Sequence, residues 1–558
     1  MKTIRTRTPQ ILLILLFIGY YSLVEFLLVS KISPVNLVQR DYVIILIISF
    51  LNLIPAGIFS FAMISLLPHR LSSDMNEASL LTKQVSTSMP RIAVLYATYN
   101  DFMSDHAEYD INEARKGGFP FYILDDSTDL FKKAEVEQFS RKFACQVLRR
   151  RDRTGYKAGA MNNWAKQYGD LYDYFFILDS DSQASLGSIQ RCVELVRRDR
   201  EIGVVQTKTL TMTSNPTRLT RSSVCVQHAY MEIVQKAMRN LGTSPYYGHN
   251  ALISIEALRK VGGFVEESNE DYKTLARIHT MGYRSIYAES AITWEEVPPD
   301  YLSARKRSLR WSRDAVSQLG LLKFGNPLAI MFFLFYGWVT HISNLALLLL
   351  LPILTAIEFP HLFGNISTEL AGFVALTVIF LWPLLALRVN DSELTTRKLA
   401  KSLLWGSVFN IPMMAPIGLQ IVKTSVMKVC TGFCGLIGIR RELEQEFVVT
   451  PKIRNLNRAP SSIVRHLKAE ISLAVVLVVL ALITNHDWSL IFAAPQILSA
   501  LSIPLLVYFE SGNRVSQKHP MERPPMPMIR TGQNAQRSVV YMQEIYLVPQ
   551  MYRVRRIC

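Results

Sequence analysis

The stretch Tyr174-Phe175-Phe176-Ile177-Leu178-Asp179-Ser180-Asp181 is a short apolar run that stops at two carboxylates separated by one serine. A run of this kind, closed by polar residues, predicts a strand buried on both faces of an α/β sheet. Two more runs have the same shape. Ile92 to Tyr96 leads into Ala97-Thr98-Tyr99-Asn100-Asp101, and Phe121 to Leu124 leads into Asp125-Asp126-Ser127. Ligands of open α/β sheets bind beyond the carboxyl ends of the strands, so these three polar ends are expected to meet in one crevice. Around them, residues 85–320 alternate short apolar strands with amphipathic helices and contain no run able to span a bilayer, which predicts one soluble α/β domain.

The motifs of that domain share a chemistry of anions and sugars. Carboxylates two residues apart at a strand end, Asp179 and Asp181, suit a hard divalent cation that also takes diphosphate oxygens, although the pattern is common by chance. Arg153-Thr154-Gly155-Tyr156-Lys157-Ala158-Gly159-Ala160-Met161-Asn162 offers a lysine among small residues for close approach of an anion; the plainer reading is a helix cap. Tyr246-Tyr247-Gly248-His249-Asn250-Ala251 precedes a strand and a helix, and Val261-Gly262-Gly263-Phe264 leads to Asn269-Glu270-Asp271 at the start of another helix. The helix dipole there is expected to lower the pKa of Asp271 and keep it ionised, and a simple first-turn carboxylate is the alternative. Arg305-Lys306-Arg307-Ser308-Leu309-Arg310-Trp311 sets forked donors beside an aromatic face, suited to phosphate and pyranose, or more plainly to lipid headgroups.

The flanks are apolar. Hydrophobic residues make up 49% of the 558, mean hydropathy is +0.18, and Lys and Arg exceed Asp and Glu by 16, which together argue against a simple soluble enzyme. Candidate spans lie at 10–30, 42–67, 327–357, 370–388, 402–422, 471–487 and 489–508. The segment 423–470 carries nine Lys and Arg and the tail from 509 carries eight, so both are expected on the cytoplasmic side. They share it if 402–422, interrupted by Pro412, Pro416 and Gly418, is interfacial or re-entrant, leaving six crossings. The expected units are a hairpin at 1–70, the α/β domain at 85–320, a pair of spans at 327–388, interfacial helices at 389–470, a second pair at 471–508 and a basic tail at 509–558. Glu25, inside the first span, is costly in lipid and marks a functional pathway or, being near the outer end, snorkels to the interface, which its position favours. Six sparse cysteines, Cys145, Cys192, Cys225, Cys430, Cys434 and Cys558, suggest neither a disulfide framework nor zinc. The basic residues adjoin membrane segments and are not interleaved with aromatics, so nucleic acid is not the expected partner.

Taken in order, the motifs at Thr98 to Asp101, Asp125 to Ser127, Tyr156 to Asn162, Asp179 to Asp181, Gln206 to Thr209, Gly248 to Ala251, Gly262 to Phe264, Asn269 to Asp271 and Arg307 to Trp311 resemble glycosyltransferase family 2, in its membrane-embedded, cellulose-synthase-like branch. Gly248 to Ala251 and Glu295-Glu296-Val297-Pro298-Pro299 resemble the glucosyltransferases of periplasmic glucans, and Phe447-Val448-Val449-Thr450-Pro451-Lys452 resembles the gating motif of cellulose synthases. Arg307 stands where the family's QxxRW has Gln, which touches acceptor grip and linkage.

The resemblance implies a GT-A (Rossmann-like) cytoplasmic domain within a helical transmembrane bundle of an inner (plasma) membrane protein. It further implies inverting transfer from a UDP-sugar, UDP-glucose above others, to a growing polysaccharide, with Mg²⁺ or Mn²⁺ as cofactor. The implied roles are Asp271 as general base; Asp181, assisted by Asp179, as metal ligands; and Thr98, Tyr99, Asp125, Lys157, Asp179 and Arg310 on the nucleotide sugar. Trp311, Glu270, His249 and Arg307 fall to the acceptor, and Phe447, Val449, Thr450 and Lys452 to a gate. Partners implied are membrane lipid and proteins that assist export. Transfer of a single sugar to a membrane lipid is the rival within enzymes, and a nucleotide-regulated transporter is the rival outside them.

Overall fold

A computed structural model describes residues 2–29, 60–67, 88–317, 396–436 and 467–484, apart from 215–216, 243 and 268, with isolated residues at 49, 56–57, 465, 497–498 and 501–503. In chain order the elements are α1 (Lys2–Val29), β1 (Ile92–Thr98), α2 (Ser104–Lys116), β2 (Phe121–Asp125), α3 (Leu130–Phe143), β3 (Gln146–Leu148), α4 (Tyr156–Tyr168), β4 (Tyr174–Asp179), β5 (Ser182–Ala184), α5 (Leu186–Arg198), β6 (Ile202–Met212), α6 (Arg218–Asn240), β7 (Ala251–Ser254), α7 (Ile255–Lys260), α8 (Glu270–Thr280), β8 (Arg284–Glu296), α9 (Tyr301–Ser317), α10 (Thr396–Leu436) and α11 (Lys468–Thr484).

The eight strands form one sheet in the order β3-β2-β1-β4-β7-β6-β8-β5. β3, β2, β1 and β4 are mutually parallel, and β7 is antiparallel to both of its neighbours. Alternation along the strands divides the core. Ile92, Val94 and Tyr96 face one layer with Ala107 and Ile111 of α2, Val136 of α3 and Ile189 of α5, while Ala93 and Leu95 face the other with Trp164 of α4, Leu258 of α7 and Ile278 of α8. With helices over both faces, the central strands read as continuous apolar runs, which is why the sequence displays them so clearly.

β6 and β8 continue beyond the rest of the sheet as a long parallel ribbon. The register slips between Thr207 and Lys208, so that Glu289 leaves the ladder and pairs with Lys236 and Arg239 of α6. At the far end β5 pairs antiparallel with β8, Ser182 opposite Glu295. That pairing brings the end of β8 back to the loop after β4.

α6 joins the domain to the flanking helices. Its Val234, Ala237 and Met238, with Leu241 just past its end, pack with Leu13 of α1 and with Phe61 and Ile64. Leu219 packs with Tyr301 and Leu302 of α9 and with Phe409, Met413, Ile417 and Ile421 of α10. These α10 residues fall four apart, one face of a helix that runs without interruption through Pro412 and Pro416. The break expected there is absent, because the packed face holds the helix together where the prolines remove backbone donors. Among the described residues no helix is long and apolar enough to cross a membrane. The spans expected at 327–357 and 370–388, most of 42–67 and 489–508, and the tail from 509 lie outside the described residues.

Candidate active site

The strand ends meet as expected. Thr98 lies opposite Asp125 across β1 and β2, and Ala97 opposite Asp179 across β1 and β4. Thr98 Oγ1 donates to Asp101 Oδ1 at 2.9 Å, and the Tyr99 amide donates to the same oxygen at 2.8 Å. The Arg153 guanidinium lies 3.2 Å over the Tyr99 ring. Asp125 is buried, with Oδ1 accepting from the Ser127 amide at 2.9 Å and Oδ2 from Arg149 Nε at 2.7 Å. In this arrangement Asp125 shapes the loop and fixes Arg149, and any grip on a nucleotide involves both side chains.

Lys157 sits in the first turn of α4. A Cβ at Gly159, one turn away from Gly155, would collide with the Thr154 carbonyl oxygen, so the small residues of this motif let the helix start close against its preceding loop. The Lys157 ammonium is bonded to the Asp179 carboxylate and donates to the Gly248 carbonyl oxygen at 2.8 Å. Gly248 itself has a φ of +84°, a left-handed conformation suited to glycine. Its carbonyl also accepts from the Tyr246 hydroxyl at 2.9 Å.

His249 lies with Nε2 3.3 Å from Glu295 Oε2 and Nδ1 3.8 Å from Asp179 Oδ2 and 3.0 Å from the Tyr247 carbonyl oxygen. Burial works against its charge, yet Glu295 and Asp179 prevail and raise its pKa to about 9. With oxygens facing both ring nitrogens, the imidazolium is the form that donates to both. Gln206 holds this loop from β6: Oε1 accepts from the Tyr247 amide at 3.0 Å, and Nε2 donates to the His249 and Asn250 carbonyls at 3.1 and 3.0 Å. Residue-by-residue reading missed Gln206, Glu295 and Arg153 as site residues, although Gln206 and Glu295 lie inside quoted motifs and Arg153 opens one.

Asp271 and Glu270 occupy the first turn of α8. A Cβ at Gly248 would lie 3.6 Å from Asp271 Oδ2 and 3.8 Å from Glu270 Oε1, so both carboxylates border the loop that Lys157 and His249 hold. The expected lowering of the Asp271 pKa is reversed: burial, with Glu270 beside it, pushes that carboxyl well above the usual carboxylate range. A helix dipole contributes about 0.3–1 kcal/mol, under one pKa unit, and burial with a like charge outweighs it. Glu270 is raised too, by burial, with Lys157 pulling against it. Trp311 on α9 is half exposed, with Arg307 stacked 4.7 Å from its ring, and Arg310 lies within electrostatic reach of Glu270 and Asp314. Phe447, Val449, Thr450 and Lys452 lie outside the described residues.

Among the described residues no three His, Cys, Asp or Glu form a metal cage. The donor set is nonetheless one that fits a hard cation: Asp181 is buried at the crevice with Asp179 beside it, and Mg²⁺ or Mn²⁺ held by one or two carboxylates completes its shell with phosphate oxygens and water.

The strand ends thus gather paired carboxylates, a lysine and a charged histidine next to a basic, aromatic helix. Residues 174–389 match the family model described as glycosyl transferase family group 2. It is 26% identical over 260 residues to a glucans biosynthesis glucosyltransferase H of Bradyrhizobium diazoefficiens, covering 42% of this chain and 34% of that one. It is 29% identical over 202 residues to a probable glucomannan 4-beta-mannosyltransferase of Oryza sativa subsp. japonica, covering 34% and 35%. The match therefore spans about a third of the length of these relatives. A mannosyltransferase from Pyrobaculum calidifontis, solved with GDP-Man and Mn²⁺, is similar at 17% identity and a TM-score of 0.43, over 65% of this chain and 99% of that one.

Proposed function

We propose that this protein is a processive, inverting glycosyltransferase that polymerises sugar from a UDP-sugar, UDP-glucose foremost, into a β-glucan on the cytoplasmic face of the inner membrane, and exports the polymer through its own helices. The observation that carries the reading is the convergence of Asp271, Glu270, Lys157, Asp179 and His249 around the Gly248 loop.

Asp271 takes the proton of an acceptor hydroxyl as that oxygen attacks the anomeric carbon. The bond to the nucleoside diphosphate breaks on the opposite face, and the configuration inverts. A raised pKa makes Asp271 a stronger base, and general-base catalysis supplies roughly 10²- to 10⁴-fold. Lys157 neutralises charge on the departing diphosphate, with Arg310 assisting. Asp181 and Asp179 would hold Mg²⁺ or Mn²⁺, which supplies Lewis-acid stabilisation of that leaving group. His249, fixed by Glu295, presents an N–H beside Asp179. Trp311 stacks on the terminal acceptor sugar, and Phe447 to Lys452 close the donor site. The match to family group 2, the likeness to glucan-building relatives and the packing of α9 against α10 and α11 support this reading.

The test is product length. Purified protein in lipid vesicles, given radiolabelled UDP-glucose and Mg²⁺ or Mn²⁺, is expected to yield long chains even while donor is abundant. Products of one addition only, or a lipid-linked monosaccharide, overturn processivity in favour of single transfer.

A further inference from the structure

Asn162 lies on α4 five residues after Lys157, and the proposed reaction gives it no part. Its side-chain amide pairs with the backbone of Phe264 as a neighbouring strand would. Oδ1 accepts from the Phe264 amide at 2.8 Å, and Nδ2 donates to the Phe264 carbonyl oxygen at 3.0 Å and to Glu266 Oε1 at 2.9 Å. Gly263 makes room for this pairing: a Cβ there would lie 2.8 Å from Asn162 Oδ1, on a backbone with φ of +96°. The Glu266 side chain in turn covers Gly155, where a Cβ would come within 2.6 Å of it. The segment 263–266 therefore rests on the α4 motif at two places, one on each side of Lys157 in sequence. Between Phe264 and Glu266, the same segment reaches the other helix. The Val265 amide donates to Thr274 Oγ1 at 3.1 Å, and Thr274 is buried on α8, about one turn after Asp271. Phe264 and Leu275 of α8 share a buried cluster with Met161 and Trp164 of α4.

We infer that Asn162 is a positioning residue for the base: through Phe264, Val265 and Thr274 it fixes the first turn of α8 relative to α4, and so Asp271 relative to the Lys157 ammonium. The inference rests on the proposed reaction, in which Asp271 is the base and Lys157 faces the departing diphosphate. The two groups also approach each other at the Gly248 loop, where Lys157 donates to the carbonyl oxygen at 2.8 Å and Asp271 Oδ2 would lie 3.6 Å from a Cβ. The second of these is a van der Waals contact that can slide, whereas hydrogen bonds in series hold direction as well as distance. Direction matters here. In an in-line displacement the attacking and leaving oxygens stand on opposite sides of the anomeric carbon, so base and lysine must keep one separation to serve both. A shift of about 1 Å in such a geometry costs about 100-fold in rate. Binding of the donor does not require that separation, so the tie acts on turnover.

The experiment measures sugar transfer at saturating donor, and UDP affinity by calorimetry, on the full chain in detergent. The proteins are the wild type, Asn162→Ala, Thr274→Val, the two combined, and Thr274→Ser. Each of the first two variants is expected to lower kcat about 10- to 100-fold, with UDP affinity within about threefold of wild type. Thr274→Ser, which keeps the hydroxyl, is expected to restore most of the rate. The combined variant is expected to lose hardly more than the worse single one, because both changes cut the same tie. Losses that add in full show two independent effects and overturn the inference. UDP affinity that falls in step with kcat gives Asn162 a scaffolding or donor-side role and overturns it, as does an unchanged rate. Thr274→Val leaves α4 intact and carries the test if Asn162→Ala does not fold. A wild type that neither binds UDP nor transfers sugar overturns the proposed function itself, and the inference with it.

Discussion

His249 and Glu295 meet across the site with Nε2 and Oε2 3.3 Å apart, the first on the loop before β7 and the second at the end of β8. The pair forms because β5 joins β8 and Glu296 donates its amide to the Asp181 carbonyl oxygen at 3.0 Å, anchoring the end of β8 to the carboxylate loop. His249 is thereby a cation in the neutral pH range, bordering Asp179. Replacing Glu295 with Gln removes the strongest of the two charges that sustain it. The His249 titration midpoint, followed by NMR of nitrogen-labelled histidine in the metal-free protein, is expected to fall from about 9 by at least about one unit. An unchanged midpoint contradicts the assigned role of Glu295.

Gly248 has room for a methyl group but not the backbone for one. A Cβ would touch Asp271 Oδ2 at 3.6 Å, an ordinary contact, while the φ of +84° is strained for any L side chain. Gly248→Ala is expected to cost about 1–2 kcal/mol in stability and to lower transfer through displacement of the Lys157 and Tyr246 bonds to its carbonyl. Chemical denaturation and initial rates measure the two effects. A variant with unaltered stability and rate shows that the loop tolerates another conformation.

The central strands, the α/β class and the meeting of three polar strand ends were legible because β1, β2 and β4 are apolar on both faces and stop at polar residues. Lys157 was legible for a similar reason: its glycine-rich neighbours mark a close approach. Glu295 and Gln206 were not, because their places depend on β5 pairing with β8 and on β6 lying beside β7, long-range pairings that no local pattern encodes. The pKa of Asp271 was misjudged because the dipole is a local property of α8, whereas its burial and the nearness of Glu270 to the Gly248 loop are tertiary. Pro412 and Pro416 misled in the same way: the prolines are visible, and the packing of Phe409, Met413, Ile417 and Ile421 that carries the helix through them is not.

Arg305 and Glu470 bind α9 to α11 through two guanidinium–carboxylate hydrogen bonds, with Glu470 only 1% exposed. Breaking a buried pair by removing one partner leaves an uncompensated charge and costs about 3–5 kcal/mol. Arg305→Met alone is expected to lower the thermal midpoint markedly, and Arg305→Met with Glu470→Leu to recover most of it. If the double variant is no more stable than the single, the pair is not what joins these helices.

His279 sets a limit in acid. Burial holds its pKa down at about 4, against 6.5 for the free side chain, with Nε2 3.0 Å from the Ser285 hydroxyl. The folded state thus takes up this proton less readily than the unfolded state. Its share of stability is complete above pH 6.5 and is lost as pH falls from there through about 4, by up to about 3 kcal/mol. His279→Gln is expected to flatten the stability profile between those pH values. An equally steep profile in the variant places the acid sensitivity elsewhere.

Removal of the Asp271 carboxylate tests the account most directly. The Asp271→Asn variant keeps the size of the side chain and loses the base, so sugar incorporation from radiolabelled UDP-glucose is expected to fall by about 10²- to 10⁴-fold while UDP still binds with near wild-type affinity. Incorporation within about threefold of wild type, with binding intact, contradicts Asp271 as the base.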